Sequence, residues 1–210
     1  MLWIIIAVVI SYLIGSIPTA YILGKVLKGI DLRQFGSHNV GATNAFRVLG
    51  KGMGISVLII DVVKGIIPVV IVADYIIAKN INVSNEMIRI ILGLASVSGH
   101  NWTIFLNLKG GKGVAVTFGI LIGLAIKYAG LGIIFGLVLG VWIISFLITR
   151  MVSVASLLSS LALPIFMFLF KQKPELIIMG AILFIFIVFR HRANIKRILE
   201  GKETRLKLTH

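Results

Sequence analysis

The 210-residue chain contains no cysteine, which excludes disulfides, thiolate catalysis and Cys-ligated metals. Acidic residues are scarce: 7 Asp and Glu stand against 21 Lys and Arg, a formal net charge of +14. Charge of either sign is scarce as well, at 13% of residues where soluble domains carry about a quarter. Instead 59% of residues are hydrophobic and the mean hydropathy is +1.08, so a soluble globular domain is excluded and the chain reads as a membrane protein. The apolar stretch Met1 to Ile14 lacks both a basic n-region and an A-x-A cleavage site, which predicts a retained first span and not a cleaved signal. Alternating apolar and polar residues, the mark of a transmembrane β-barrel, are missing, as are internal repeats and low-complexity tracts. The basic excess needs an anionic partner. Nucleic acid drops out because no recognition fold fits between the apolar runs, leaving lipid headgroups or a phosphorylated substrate.

A membrane helix takes about 20 apolar residues, roughly 17–25 in practice. Seven segments predict spans: Leu2–Gly24, Met53–Ala78, Met87–Leu106, Val114–Ala129, Leu131–Thr149, Val152–Phe170 and Leu176–Phe189. The fourth and seventh are short and are expected to start inside the membrane or to border a water-filled cavity. The expected fold is an all-α integral membrane protein with seven transmembrane helices, forming a single domain over residues 1–210. Charge sets the orientation. With the N-terminus outside, the inner loops and tail hold Lys25, Lys28, Arg33, Arg47, Lys51, Lys109, Lys112, Arg150, Arg190, Arg192, Lys196, Arg197, Lys202, Arg205 and Lys207. Only Lys79, Arg89, Lys127, Lys171 and Lys173 fall outside, and Lys64 lies within a span. That bias predicts a cytoplasmic C-terminus.

Three polar clusters interrupt the apolar runs. The first runs from Phe35 through Gly36-Ser37-His38-Asn39-Val40-Gly41-Ala42-Thr43-Asn44 to Arg47. Its glycines permit close backbone approach, Ser, Asn and Thr offer uncharged hydrogen-bond groups, and Arg47 can clamp a phosphate bidentately. It reads equally as a polar turn leading into a helix. The second is Gly99-His100-Asn101-Trp102 followed by Lys109-Gly110-Gly111-Lys112-Gly113, directly before the span from Val114. Glycine amides at a helix start favour an anion, and two lysines add charge. A Walker A loop is excluded, since Leu106 stands where its first glycine belongs and Gly113 replaces its Ser/Thr. A basic loop with glycines is the plainer alternative. The third is Arg190-His191-Arg192-Ala193-Asn194-Ile195-Lys196-Arg197 after the last span. Its basic residues suit headgroup anchoring, whereas His191 and Asn194 at i,i+3 share a helix face and can act together on a substrate.

Asp61 and Lys64 stand at i,i+3 inside the second span, where an ion pair and a functional role are both open. Gly132, Gly136 and Gly140 recur every four residues, which predicts a close-packing stripe between helices. The three clusters follow spans one, three and seven. Parity therefore puts them on one membrane face, where together they outline a basic, cytoplasmic, polyanion-binding site.

At these residues the chain resembles the bacterial integral-membrane glycerol-3-phosphate acyltransferases that use acyl phosphate as donor. Residues 36–44 match the family's G-S-x-N-x-G-A-T-N signature, and Gly99-His100 with Lys109-Gly110-Gly111-Lys112-Gly113-Val114-Ala115 match its G-H…K-G-G-K-G-V-A segment. His191-Arg192-Ala193-Asn194-Ile195, with Arg197, Gly201 and Glu203, match its H-R-x-N-I-x-R…G-x-E tail. The likeness runs from Gly15 to Glu203 and takes in Gly15-Ser16-Ile17-Pro18 and Asp61…Lys64-Gly65; Thr103, where the family often has proline, departs from it.

The resemblance implies a reaction: the sn-1 hydroxyl of glycerol 3-phosphate attacks a fatty acyl phosphate, giving lysophosphatidic acid and phosphate, the first step of phospholipid synthesis. It implies catalytic roles for His191, Asn194, Ser37 and Lys112. Substrate binding falls to Arg47, Asn39, Gly41, Thr43, Asn44, His100, Lys109, Gly110, Gly111 and Gly113, with the glycine-lysine loop taking glycerol 3-phosphate and Glu203 tying down the tail. No metal, other cofactor, coenzyme A or acyl carrier protein is implied, and the expected location is the bacterial inner (plasma) membrane with the active site facing the cytoplasm. The partners are the two substrates and the bilayer; oligomeric state is left open. The His-x-x-x-x-Asp engine of other glycerolipid acyltransferases is absent, because Thr43, Phe105 and Lys196 stand five residues after His38, His100 and His191. Two rivals remain from the residues alone. One is a transporter for a phosphorylated anion, whose charges should line both faces, and the other a structural protein whose basic loops bind lipid.

Overall fold

A computed structural model describes residues 1–206, and Lys207 of the basic tail lies outside the described residues. Each of the seven apolar segments is helical, and no strand occurs among the described residues. The chain forms two compact units, Met1–Lys127 and the part from Tyr128 onward.

The first unit begins with α1 (Leu2–Ser16) and α2 (Thr19–Lys28), bent by 41° where a single span was expected. Pro18 causes the break: it has no N–H to continue the ladder, and at φ −86°, ψ 73° it makes an inverse γ-turn closed by Thr19 N–H donating to Ile17 O at 3.0 Å. After α3 (Ala42–Leu49), α4 (Lys51–Ile67) runs through a wide turn at Pro68–Val72 into α5 (Ala73–Ile77). Then come α6 (Asn85–Asn101), started by Ser84 accepting from Met87 N–H at 3.2 Å, and α7 (Val114–Lys127). Glycines set two crossings. A methyl at Gly15 or Gly99 would overlap Ser96 O or Tyr12 O, so α1 and α6 touch backbone to backbone; Gly65 and Gly119 do the same for α4 and α7.

Arg89 and Lys127, counted above as outer charges, belong to the packed body of this unit. Arg89 is buried on α6; it donates to Val69 O at 2.5 Å, inside the wide turn, and to Asp74 at 2.6 Å, which Lys127 also reaches at 2.6 Å. Pro68 frees the carbonyl of Lys64, four residues back, which accepts from Ser96 Oγ at 2.8 Å, while Arg89 brings a charged donor to Val69 O within the wide turn.

The second unit comprises α8 (Gly130–Thr149), α9 (Val152–Leu169), α10 (Pro174–Arg190) and α11 (Arg192–Leu199), the last two bent by 64° at His191. α9 packs on both α8 and α10. The expected packing stripe on α8 is corrected: nothing lies within 4 Å of a methyl built at Gly132, Gly136 or Gly140, so these glycines do not serve close packing among the described residues. Three helices, Lys51–Ile77, Gly130–Thr149 and Val152–Leu169, are long and apolar enough to cross a bilayer, and up to five qualify if each bent pair counts as one. α6 and α7, at 17 and 14 residues, are shorter.

Candidate active site

The first motif is a loop held by its own asparagine. Asn44 is 1% exposed; its Oδ1 accepts from Ser37 N–H at 2.8 Å, and its Nδ2 donates to Leu32 O at 3.2 Å and Phe35 O at 3.1 Å. Gly36 has φ +60° and a methyl there would overlap Asn44 Oδ1, so glycine is required on both counts. Asn44 therefore shapes the loop, while Ser37 and Arg47 are exposed and Asn39, Gly41 and Thr43 half-buried.

The second motif is pinned to the end of α6. Gly110 N–H donates to Asn101 O at 3.2 Å and Gly111 N–H to His100 O at 2.9 Å. The expectation that these glycines offer open amides is thereby modified, because both amides already serve α6. What demands glycine is space: a methyl at 110 would overlap His100 O, and one at 111 would overlap the His100 ring at Nε2. Gly113, at φ +80°, turns the chain into α7, whose first-turn amides and dipole direct positive potential at the loop. Lys109 is exposed and Lys112 half-buried.

A small cleft lies where this loop faces the α1–α2 break, lined by Ser16, Ile17, Thr19, His100, Gly110 and Gly111 among others. Its rim is tied by Thr103 Oγ1 donating to Ser16 O at 2.5 Å and Tyr12 OH donating to Trp102 O at 2.6 Å. Behind the wall, Asp61 and Lys64 pair at 2.7 Å with side chains 3% and 4% exposed. The i,i+3 spacing offered this pair, whereas the ties of Thr103 to Ser16 and of Tyr12 to Trp102 span 87 and 90 positions and had no sequence signal.

In the second unit, His191 is 2% exposed at the α10–α11 bend, its Nδ1 2.8 Å from Ile187 O. A carbonyl only accepts, so the ring carries hydrogen on Nδ1 and a neutral imidazole presents Nε2 as its basic atom. Asn194 Nδ2 donates to Glu203 Oε1 at 2.6 Å, and the same carboxylate takes Ser153 Oγ at 2.8 Å and Arg197 Nε at 2.8 Å. Glu203 thus ties the tail to α9 and α11. Burial alone would push its carboxyl pKa up, but the donors Asn194, Ser153 and Arg197 outweigh that and hold it below the ordinary carboxylate range. A depressed folded pKa contributes stability that is present above the unfolded carboxylate pKa and lost as pH falls through the folded value. Glu203→Gln is therefore expected to lower Tm at neutral pH, with the gap to the parent protein closing as acid protonates the carboxylate; thermal unfolding in detergent across pH 3–8 measures it.

These placements can be set beside known proteins. A family model described as glycerol-3-phosphate acyltransferase matches residues 5–201. The chain belongs to the glycerol-3-phosphate acyltransferase family. Relatives of that name include one from Chlorobium chlorochromatii (strain CaD3), 40% identical over 98% of this chain and 98% of its own length. Another, from Fusobacterium nucleatum subsp. nucleatum, is 39% identical over 95% and 96%. The crystal structure of PlsY (YgiH), an integral membrane glycerol 3-phosphate acyltransferase, in its glycerol 3-phosphate form matches with TM-score 0.84 at 35% identity, covering 97% of this chain and 96% of that one. Its lysophosphatidic acid form gives 0.82 at 34%, covering 97% and 95%. Within this acyltransferase family the present chain is an all-helical, multi-pass membrane protein. The sequence motifs account for the loops around the cleft, while Ser16, Thr19, Asp61, Lys64 and Thr103 are the polar residues that motif matching left without a role.

Proposed function

We propose that this protein moves a fatty acyl group from acyl phosphate to the sn-1 hydroxyl of glycerol 3-phosphate, releasing lysophosphatidic acid and inorganic phosphate. The observation that carries the reading is the cleft between the α1–α2 break and the Lys109–Gly113 loop, in a membrane protein of this family whose polar segments are basic. The hydroxyl oxygen bonds to the acyl carbon, the bond from that carbon to the phosphate oxygen breaks, and the hydroxyl proton passes to a base. His191 Nε2 serves as that base, with Asn194 orienting the hydroxyl; Ser37 and Lys112 stabilise charge developing on the acyl phosphate. Arg47, Lys109 and Lys112 meet substrate phosphate charge, Asn39, Gly41 and Thr43 contribute polar contacts, and Asn44 acts through the loop it shapes. Gly110, Gly111 and Gly113, with His100, let glycerol 3-phosphate approach closely. An acyl phosphate is already an activated anhydride, so positioning and charge stabilisation suffice without a covalent enzyme intermediate. Purified protein given glycerol 3-phosphate and acyl phosphate should form lysophosphatidic acid, and acyl-coenzyme A should not replace the donor. Equal rates with acyl-coenzyme A would overturn the donor assignment.

The same reading has residues 1–210 act as one acyltransferase domain with seven spans, the N-terminus outside, and the C-terminus and all three motifs on the cytoplasmic face of the inner membrane. Its support is the parity of the motifs and the basic bias of the loops they occupy. The chain has no native cysteine, so Phe35→Cys, Lys109→Cys and Ala193→Cys, all at exposed positions, are clean probes. A membrane-impermeant maleimide should label each from the cytoplasmic side only.

A further inference from the structure

Resting on the proposed reaction, the buried ion pair behind the cleft wall acquires a purpose. Lys64 Nζ donates to Ile17 O at 2.5 Å, to Asp61 Oδ1 at 2.7 Å and to Thr19 Oγ1, which uses all three ammonium hydrogens. Thr19 Oγ1 in turn donates to Asp61 Oδ1 at 3.3 Å, closing a ring of three side chains. Asp61 Oδ1 also lies 3.9 Å from His100 Nδ1. Ile17, Thr19 and His100 all line the cleft, and the His100 ring is the group a methyl at Gly111 would strike. Ile17 O, which accepts from Thr19 N–H in the turn at Pro18, takes the ammonium as well, so Lys64 fastens the break that forms one cleft wall.

Neutralisation alone explains none of this. An Asp–Lys pair at i,i+3 cancels its own charge but leaves two ammonium hydrogens to be placed, and a buried pair is often no more stable than apolar residues of similar volume. Ionisable groups at membrane depth are costly to keep. Here Lys64 hydrogen-bonds Ile17 and Thr19 at the α1–α2 break, and Asp61 Oδ1 lies 3.9 Å from His100 of α6, so the pair faces two elements that line one cleft. We infer that Asp61 and Lys64 are positioning residues for glycerol 3-phosphate: Lys64 sets the Ile17–Thr19 wall, Asp61 holds the His100 ring in register beneath Gly111, and neither touches substrate.

The test is the apolar replacement Asp61→Leu with Lys64→Met, purified in detergent beside the parent protein. Its Tm should be unchanged or higher, as apolar substitution of a buried pair predicts. KM for glycerol 3-phosphate should rise about tenfold, with kcat within about threefold and KM for acyl phosphate unchanged, the pattern of lost substrate binding. An unaltered KM in a well-folded double variant would make the pair merely structural and overturn the inference. Should the double variant fail to give a monodisperse species, Asp61→Asn, which keeps size and hydrogen bonding but removes the charge facing His100, must show the same KM rise or the inference falls. Calorimetric titration with glycerol 3-phosphate separates this inference from the proposed reaction. If the parent protein binds it but transfers no acyl group, the reaction is wrong, and about tenfold weaker binding by the double variant still upholds the positioning role. If the parent protein does not bind it, both are overturned.

Discussion

His191→Ala and Asn194→Ala are each expected to lower kcat by at least about a hundredfold, the usual lower bound for losing general-base help, in protein that still inserts into the membrane. The geometry sharpens this expectation. His191 is buried at the α10–α11 bend with Nδ1 against Ile187 O, so Nε2 is the basic atom and its direction is set by the helix itself. His191→Asn can keep a donor for Ile187 O but has no titratable ring nitrogen, and it should fall as far as alanine. Asn194 carries a second duty, since its amide holds Glu203. Asn194→Ala should therefore lose thermal stability as well as rate, and Glu203→Gln should show a milder version of both. Arg192 is the control: it is exposed, its guanidinium 4.8 Å from the Phe189 ring, and Arg192→Ala should cost less than about threefold because neighbouring basic residues keep the interface charge. Steady-state kinetics with acyl phosphate, normalised to folded protein, decides the matter. Loss in Arg192→Ala equal to that in the other two would make the tail a charge anchor.

Much of the fold was legible because burial in lipid leaves a one-dimensional trace: each apolar run became helix. The break at Pro18 was not, since apolarity continues through it and hydropathy is blind to direction, although the proline was visible. The burial of Arg89 was hidden for a different reason. A charge near a span end counts as loop, yet its partners Val69 O and Asp74 lie 20 and 15 positions away and only folding brings them together. The motifs located the loops of the site, but residue type did not reveal what each glycine does. The Gly110 and Gly111 amides look open in sequence and are committed to α6 in space. Likewise the i,i+3 spacing disclosed the Asp61–Lys64 pair, whereas its links to Thr19 and Ile17 span 42 and 47 positions.

Gly110→Ala and Gly111→Ala, one residue apart in the same loop, should fail for different reasons. At position 110 the new methyl meets His100 O, with Asn101 O 2.9 Å away, and both are backbone of α6 that cannot swing aside. The loop must peel from the helix, giving up the hydrogen bonds to Asn101 O and His100 O at about 1 kcal/mol each and adding about 1–3 kcal/mol of overpacking. The sum, about 3–5 kcal/mol, is a large part of the total stability of about 5–15 kcal/mol that a folded domain has, so Tm should fall steeply and activity vanish. At position 111 the obstacle is the His100 ring, with Nε2 overlapped and Cε1 at 2.8 Å, and a side chain can rotate where a carbonyl cannot. Gly111→Ala should fold, with KM for glycerol 3-phosphate raised because His100 has left its place. A double-mutant cycle separates the two. Adding His100→Ala removes the ring and should restore Tm in the Gly111→Ala background, a coupling of about 1 kcal/mol or more. It should restore nothing in the Gly110→Ala background, because every residue at position 100 keeps its carbonyl. Equal rescue of both would mean that the loop contacts α6 through the ring alone, and the backbone clasp described above would be wrong.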